Sequence, residues 1–325
     1  MSPRTQEHLK IVFLDRETLP ATATLRALSF PHELVSYDQS LPEQVGERCD
    51  DANIVISNKV RISGDVIRSL PNLKFIAVCA TGTDNVDLDA CRERGIGVSN
   101  VRGYAVSSVP EHTLALMLAL CRSIGAYHSA VAAGRWDQSD QFCFLDYPIV
   151  ELKGRILGII GSGSLGQAVA RLAEAFGMTV RFAGRKGDAN TPSDRTPFEQ
   201  IIAESDFVSL HCPLTAETQN LIGKTELEAM KSNAYLINVS RGGLVDEDAL
   251  VRAIEAGQIG GAAFDVATKE PMPKSNPLMK IMDRPNFILT PHVAWVSDEA
   301  SQGLADQTID NIEAFVAGAP RNVIV

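Results

Sequence analysis

Residues 157–166 read Leu157-Gly158-Ile159-Ile160-Gly161-Ser162-Gly163-Ser164-Leu165-Gly166, and this stretch decides how the chain is read. A short apolar run ends in glycines spaced Gly161-x-Gly163-x-x-Gly166, and Ala168, Val169, Leu172, Ala173 and Phe176 follow at helical spacing. Strand, tight turn and helix in that order are the context that gives such glycines a meaning. Gly161 permits the turn. Gly163 lets the backbone approach a pyrophosphate with no Cβ between, and Gly166 lets the helix pack close to its strand. The helix N-terminus adds unpaired N–H groups and a positive dipole end, both suited to phosphate. The segment is expected to bind a dinucleotide. A glycine-rich turn without a ligand is the alternative, which the flanking strand and helix disfavour.

The chain has 325 residues, room for two domains of about 150 residues each. Hydrophobic residues make up 45% and charged residues 22%, as in ordinary globular proteins. Lys and Arg total 30 against 40 Asp and Glu, a formal net charge of −10. That charge opposes binding to a nucleic-acid backbone. The first eight residues, Met-Ser-Pro-Arg-Thr-Gln-Glu-His, hold no apolar signal region. The most apolar helix candidate, Leu114–Cys121, is too short for a bilayer, which takes about 20 residues, so no membrane partner is expected. Cys49, Cys79, Cys91, Cys121, Cys143 and Cys212 lie far apart with no Cys-x-x-Cys pair. Neither a metal site nor a disulfide framework is suggested, and reduced thiols imply a cytoplasmic location.

Strand and helix patterns alternate from end to end, the mark of parallel sheets covered by helices. Strands are expected at Lys10–Leu14, Ala52–Ser57, Phe75–Val78 and Ile96–Val98, with helical segments at Leu41–Arg48 and Gly64–Leu70. A long helix follows, with Ser108 as its N-cap and Pro110 early. Its run Thr113–Cys121 is apolar on nearly every face, so burial at a domain or subunit boundary is expected. Further strands read Thr179–Ala183, Phe207–Leu210, Ala234–Val239, Gly261–Asp265 and Phe287–Leu289. Asp246–Ala256 is a helix with acids in its first turn and Gly257 just beyond it, and Ser297–Ala317 is the last helix. Asp188–Pro197 reads as a polar loop.

Ligands of open parallel sheets bind beyond the carboxyl ends of the strands. Three ionisable residues fall there: Arg241 after strand 234–239, Glu270 after strand 261–265, and His292 after strand 287–289. Singly, each reads as a solvated or capping residue. Together, beside a dinucleotide fingerprint, they have a chemical purpose. Hydride transfer to a ketone leaves a developing alkoxide that needs a proton. An imidazolium supplies it, and a neighbouring carboxylate favours the charged imidazole. A guanidinium grips the carboxylate of a 2-keto acid through two parallel bonds.

These residues stand within a longer series. Ala80-Thr81-Gly82-Thr83-Asp84-Asn85-Val86-Asp87 is followed by Val109-Pro110-Glu111-His112-Thr113, the glycine fingerprint, His211-Cys212-Pro213-Leu214-Thr215, Asn238–Gly243, Glu270-Pro271 and Pro291-His292. Across nearly its whole length the chain resembles the D-isomer-specific 2-hydroxyacid dehydrogenases, most closely the glycerate dehydrogenase or hydroxypyruvate reductase group. The resemblance implies two doubly wound α/β domains, a Rossmann-type cofactor domain (105–290) inserted into a flavodoxin-like substrate domain (1–104 and 291–325), with a cleft that closes over the site. It implies catalytic roles for Arg241, Glu270 and His292: His292 is the acid–base, Glu270 orients it, and Arg241 binds the substrate carboxylate. It places the substrate on Ala80, Thr81, Gly82, Arg241 and His292. Asn58 and Lys59 are weaker candidates for the far end of the substrate. Cofactor contacts are implied at Gly161, Gly163, Ser164, Leu165, Gly166, Arg185, Lys186, His211, Cys212, Pro213, Thr218, Val239, Ser240, Asp265, His292 and Ala294. A homodimer is implied, with the helix near 110–125 in the contact. The aromatic loop Gln141–Tyr147 lines the entrance, reaches a partner subunit, or packs in the core.

The acid that normally holds the adenosine ribose about 20 positions beyond the glycines is missing. Strand 179–183 runs instead into Gly184-Arg185-Lys186, two cations suited to a 2′-phosphate. NADPH, or use of both NADP and NAD, is expected. Hydroxypyruvate or glyoxylate is the expected substrate, giving D-glycerate or glycolate. Phosphoglycerate or D-lactate dehydrogenation is the nearest alternative, and a dinucleotide-sensing corepressor of the same fold is the alternative of another class.

Overall fold

The computed structural model describes residues 8–325; Met1–Glu7, most of the segment read above for a signal region, lies outside them. The chain divides into two units, one running to Tyr104 and resuming at Val296, the other spanning Ala105–Trp295.

In the first unit β1 (Leu9–Phe13), β2 (His32–Ser36), β3 (Ile54–Ser57), β4 (Phe75–Val78) and β5 (Gly97–Ser99) form a parallel sheet in the order β2-β1-β3-β4-β5. Every residue of β3 and β4 is buried, as continuous apolar runs in a doubly covered sheet require. The unexpected strand β2 has no such run. His-Glu-Leu-Val-Ser lies on the sheet edge with mixed exposure, so burial never marked it in the sequence. The expected helix 41–48 is a 3-10 turn at Pro42–Gln44 running into α1 (Val45–Arg48). α2 (Gly64–Ser69) and α3 (Leu88–Arg94) follow, the latter capped by the Asp87 carboxylate on the Ala90 N–H at 3.0 Å. The C-terminal helix Asp298–Val316 starts with the Ser297 hydroxyl on the Ala300 N–H, 3.0 Å.

In the second unit the strands are β6 (Ile156–Ile160), β7 (Thr179–Phe182), β8 (Phe207–Leu210), β9 (Tyr235–Asn238), β10 (Gly261–Phe264) and β11 (Phe287–Leu289). All pair in parallel, in the order β11-β10-β9-β8-β6-β7. The order reverses at β6, so the switch point, where such sheets bind ligands, lies between β6 and β8. The core joins Val208, Leu210, Leu236 and Phe264 of the sheet to Leu250 and Ile254 of the helix Glu247–Glu255.

The long apolar helix α4 (Ser108–Cys121) packs on β9, β10 and β11 and on the helix Ser164–Ala175 of its own unit, which buries Val109, Thr113, Leu114, Leu116, Met117 and Leu120. Its apolar faces are thus largely covered from within the unit. Ser107, not Ser108, stands at the N-cap position and makes no side-chain cap; the Ser108 hydroxyl donates instead to the Ala294 carbonyl at 2.7 Å.

The second crossing between units also moves. Residues 291–295 cluster with the second unit, not the first. The Asp265 carboxylate accepts the Val293 and Ala294 N–H groups at 2.9 and 2.8 Å, and the Asp265 carbonyl accepts the His292 N–H at 2.8 Å. Those bonds fasten the segment to β10.

Candidate active site

The glycine fingerprint forms the turn between β6 and the helix Ser164–Ala175. Gly161 has φ +108°, and a Cβ there would overlap the His211 carbonyl, so only glycine fits. A Cβ on Gly166 would overlap the Gly161 carbonyl, which explains the close approach of helix to turn. Gly163 faces open space, with nothing within 4 Å of a Cβ built on it. Ser164 and Leu165 begin a 12-residue helix whose first N–H groups point out of this turn.

A cavity of about 790 Å³ opens beside the turn, at the carboxyl ends of β6, β7 and β8. Its walls include Gly161, Arg185, Lys186, Cys212, Pro213 and Thr218. Size, place and the turn that excludes side chains fit a dinucleotide. Thr218 braces the wall opposite: its hydroxyl donates to the Pro213 carbonyl at 2.7 Å. Burial holds the Cys212 thiol up at about 11, so it stays protonated and unreactive. The His211 backbone carbonyl lies against Gly161. The His211 ring turns back onto the Ser209 hydroxyl at 2.8 Å, and burial lowers its pKa to about 4, which leaves it neutral.

The cations after β7 differ from each other. The Lys186 ammonium is paired with Glu226 at 2.7 Å and donates to the Leu221 carbonyl at 3.1 Å. It is committed to the protein. Arg185 lines the cavity. So does Arg195, which falls within the polar loop Asp188–Pro197. That loop returns along β7, with the Gly184 N–H on the Thr196 carbonyl (2.8 Å) and the Thr196 N–H on the Phe182 carbonyl (2.9 Å). The return sets the Arg195 guanidinium over the Phe182 ring at 5.3 Å. No spacing in the sequence signals that fold-back.

Arg241, Glu270 and His292 follow β9, β10 and β11, three adjacent strands. Asn238 shapes the first of these loops. Its amide donates to the Arg241 carbonyl (2.9 Å) and accepts the Ser240 N–H (3.1 Å), while the Ser240 hydroxyl donates to the Cys212 carbonyl (2.7 Å). Val239 is buried beneath. The Arg241 guanidinium donates to the Ser240 carbonyl at 2.8 Å. A Cβ on Gly242 would overlap the Ala267 carbonyl, so the Arg241 loop presses directly on the Glu270 loop.

Glu270 and His292 are in contact: His292 Nδ1 lies 2.6 Å from Glu270 Oε2. The other carboxylate oxygen accepts the Ala267 N–H at 3.0 Å, which fixes the group. With the carboxylate as acceptor, His292 donates from Nδ1 and keeps Nε2 for proton exchange. The His292 side chain is 26% exposed, enough to meet a ligand. Asp265, expected to touch cofactor, is 1% exposed and spends its carboxylate on its own unit.

In the first unit, Ala80–Gly82 follow β4 at the carboxyl edge of that sheet. The Thr81 hydroxyl donates to the Val101 carbonyl (2.8 Å), and the Asn100 amide to the Thr81 carbonyl (2.7 Å). Asn58 and Lys59 have their backbone fixed by the buried Asp15 carboxylate, which accepts their N–H groups at 2.9 and 2.6 Å.

Residues 114–294 match the model of the D-isomer specific 2-hydroxyacid dehydrogenase NAD binding domain. Glycerate dehydrogenase of Methylorubrum extorquens is 50% identical over 316 residues, 97% of this chain and 98% of that one. Hydroxypyruvate reductase of Blautia hydrogenotrophica is 36% identical over 97% and 99%. The crystal structure of D-lactate dehydrogenase from Aquifex aeolicus, complexed with NAD and lactic acid, superposes with a TM-score of 0.78 at 29% identity, over 88% of this chain and 90% of that one. The chain belongs to the D-isomer specific 2-hydroxyacid dehydrogenase family.

Proposed function

We propose that the protein reduces a small, polar 2-keto acid, hydroxypyruvate or glyoxylate, to D-glycerate or glycolate with NADPH or NADH. The Glu270–His292 contact at 2.6 Å carries the reading, because it sets an imidazole proton donor against a carboxylate on the sheet edge that also holds the dinucleotide turn. When bound, the nicotinamide supplies the hydride. His292 gives its Nε2 proton to the carbonyl oxygen, and Glu270 stabilises the imidazolium before transfer. Arg241 holds the substrate carboxylate through its forked guanidinium. The likeness to the glycerate dehydrogenase and hydroxypyruvate reductase supports the choice of substrate. The deciding experiment is a rate panel: NADPH and NADH, each against hydroxypyruvate, glyoxylate, pyruvate and larger keto acids. Fastest turnover with hydroxypyruvate or glyoxylate supports the assignment. Tight dinucleotide binding without turnover on any keto acid overturns it in favour of a sensor.

We assign NADPH as the better cofactor. Arg185 lines the cavity where an acid would reject a 2′-phosphate, and Arg195, whose own ion pair is with the solvent-exposed Asp194 at 3.3 Å, adds a second cation there. Lys186 has no part in this, being paired with Glu226. Arg185→Ala is expected to lower kcat/KM for NADPH about 10- to 100-fold, the worth of a charged hydrogen bond, and to leave NADH nearly unchanged. A wild-type enzyme that prefers NADH strongly contradicts the assignment.

We also assign a homodimer, and place its contact on the arm beyond α4. Here the helix Ile124–Ala132 and the segment 135–149 expose Ile124, Trp136, Phe142 and Leu145, the last two at 89% and 79%. The arm is firmly built: Arg135 pairs with Asp146 at 2.8 Å, and the Trp136 indole donates to the Phe142 carbonyl at 3.0 Å. An ordered surface of this kind marks an interface. Phe142→Ser with Leu145→Ser is expected to shift sedimentation from dimer to monomer; an unshifted dimer rules this surface out. The six unpaired cysteines support a reducing, cytoplasmic setting.

A further inference from the structure

Behind His292 lies a chain of hydrogen bonds that proton transfer does not use. The buried Asp265 carboxylate accepts the Val293 and Ala294 N–H groups and, at 2.5 Å, the Thr290 hydroxyl. Thr290 has one hydroxyl proton. The Phe264 carbonyl, 3.4 Å away, is the competing acceptor, and the shorter contact to a charged oxygen takes the proton. The Thr290 oxygen therefore acts as acceptor toward His112 Nε2, 3.0 Å away. That fixes the His112 tautomer with its proton on Nε2. The direction of the chain is set: His112 donates to Thr290, Thr290 donates to Asp265, and Asp265 holds the backbone that follows His292.

His292 needs such a hold. Its φ of +56° lies in the left-handed region, which a residue with a Cβ adopts only when its surroundings impose it. Its N–H donates to the Asp265 carbonyl (2.8 Å), and its carbonyl accepts the Trp295 indole N–H (3.0 Å). The Asp265 bonds pull the next two residues the same way. The aim of the imidazole at Glu270 thus rests on a carboxylate that Thr290, backed by His112, helps to hold in place. His112 sits on α4, 178 positions from its partner in sequence, so the core helix of the unit is tied to the proton-donor loop.

We propose that His112 and Thr290 are positioning residues for His292, acting through Asp265 on the loop that carries it. This rests on His292 being the proton donor. Four variants test it with hydroxypyruvate and NADPH. Thr290→Val and His112→Leu break the chain, whereas Thr290→Ser keeps the hydroxyl and His112→Gln keeps a donor at the Nε2 position. The broken variants are expected to lose kcat about tenfold, the scale of one hydrogen bond with its partner left unsatisfied, with KM for both substrates unchanged. The conserving variants are expected to regain most of it. Wild-type kcat in Thr290→Val, a KM rise in place of a kcat loss, or Thr290→Ser as slow as Thr290→Val overturns the proposal. His292→Ala runs alongside: loss of its activity with a normal Thr290→Val refutes the relay alone, while full activity in His292→Ala refutes both assignments.

Discussion

His292→Ala lowers kcat by about two to four orders of magnitude, the range that a positioned general acid contributes, and changes the dissociation constant for NADPH far less. The two readouts separate because the imidazole and the dinucleotide cavity use different groups. The cavity walls are Gly161, Arg185, Cys212 and their neighbours, whereas His292 spends Nδ1 on Glu270. Truncation removes the proton source and leaves the turn that excludes side chains intact. Glu270→Gln loses less, because the amide oxygen still accepts from Nδ1 but no longer favours the charged ring. Wild-type kcat in His292→Ala would place the acid elsewhere. Stopped-flow mixing and fluorescence titration with NADPH give the two numbers.

Arg241→Lys is expected to raise KM for the keto acid about 10- to 100-fold. Lysine keeps the charge but offers a compact ammonium on a flexible stem, without the planar fork that matches a carboxylate. The loop should survive the change. Its shape comes mainly from the Asn238 amide bridging Ser240 and Arg241, and from Gly242 lying against Ala267, so losing the guanidinium's one bond to the Ser240 carbonyl leaves most of it in place. KM for NADPH is therefore expected to hold. An unchanged KM for the keto acid would take Arg241 out of the substrate site.

Much of the fold was legible because local patterns carried it. β4, β8 and β11 span the residues that the sequence pattern predicts for them. The glycine turn was legible because backbone collisions at Gly161 and Gly166 permit no other residue. β2 was not, since an edge strand with exposed side chains leaves no burial pattern. The apolar helix α4 showed that it is buried but not by what; the sheet and a helix of its own unit cover it, and the exposed apolar surface lies further on. Arg185 and Lys186 look alike in sequence, yet Glu226, 40 positions on, commits only the lysine. The chain from His112 through Thr290 to Asp265 joins residues that meet only after folding. The same holds for Arg195, brought to the cavity by a loop that folds back along β7.

Transfer of deuterium from NADPH dideuterated at C4 to hydroxypyruvate, followed by chiral chromatography and mass spectrometry of the product, probes the central claim most directly. The account predicts D-glycerate carrying one deuterium at C2, formed by the wild-type protein and nearly absent with His292→Ala. Unlabelled glycerate, the L-isomer, or no product alongside tight NADPH binding would contradict it.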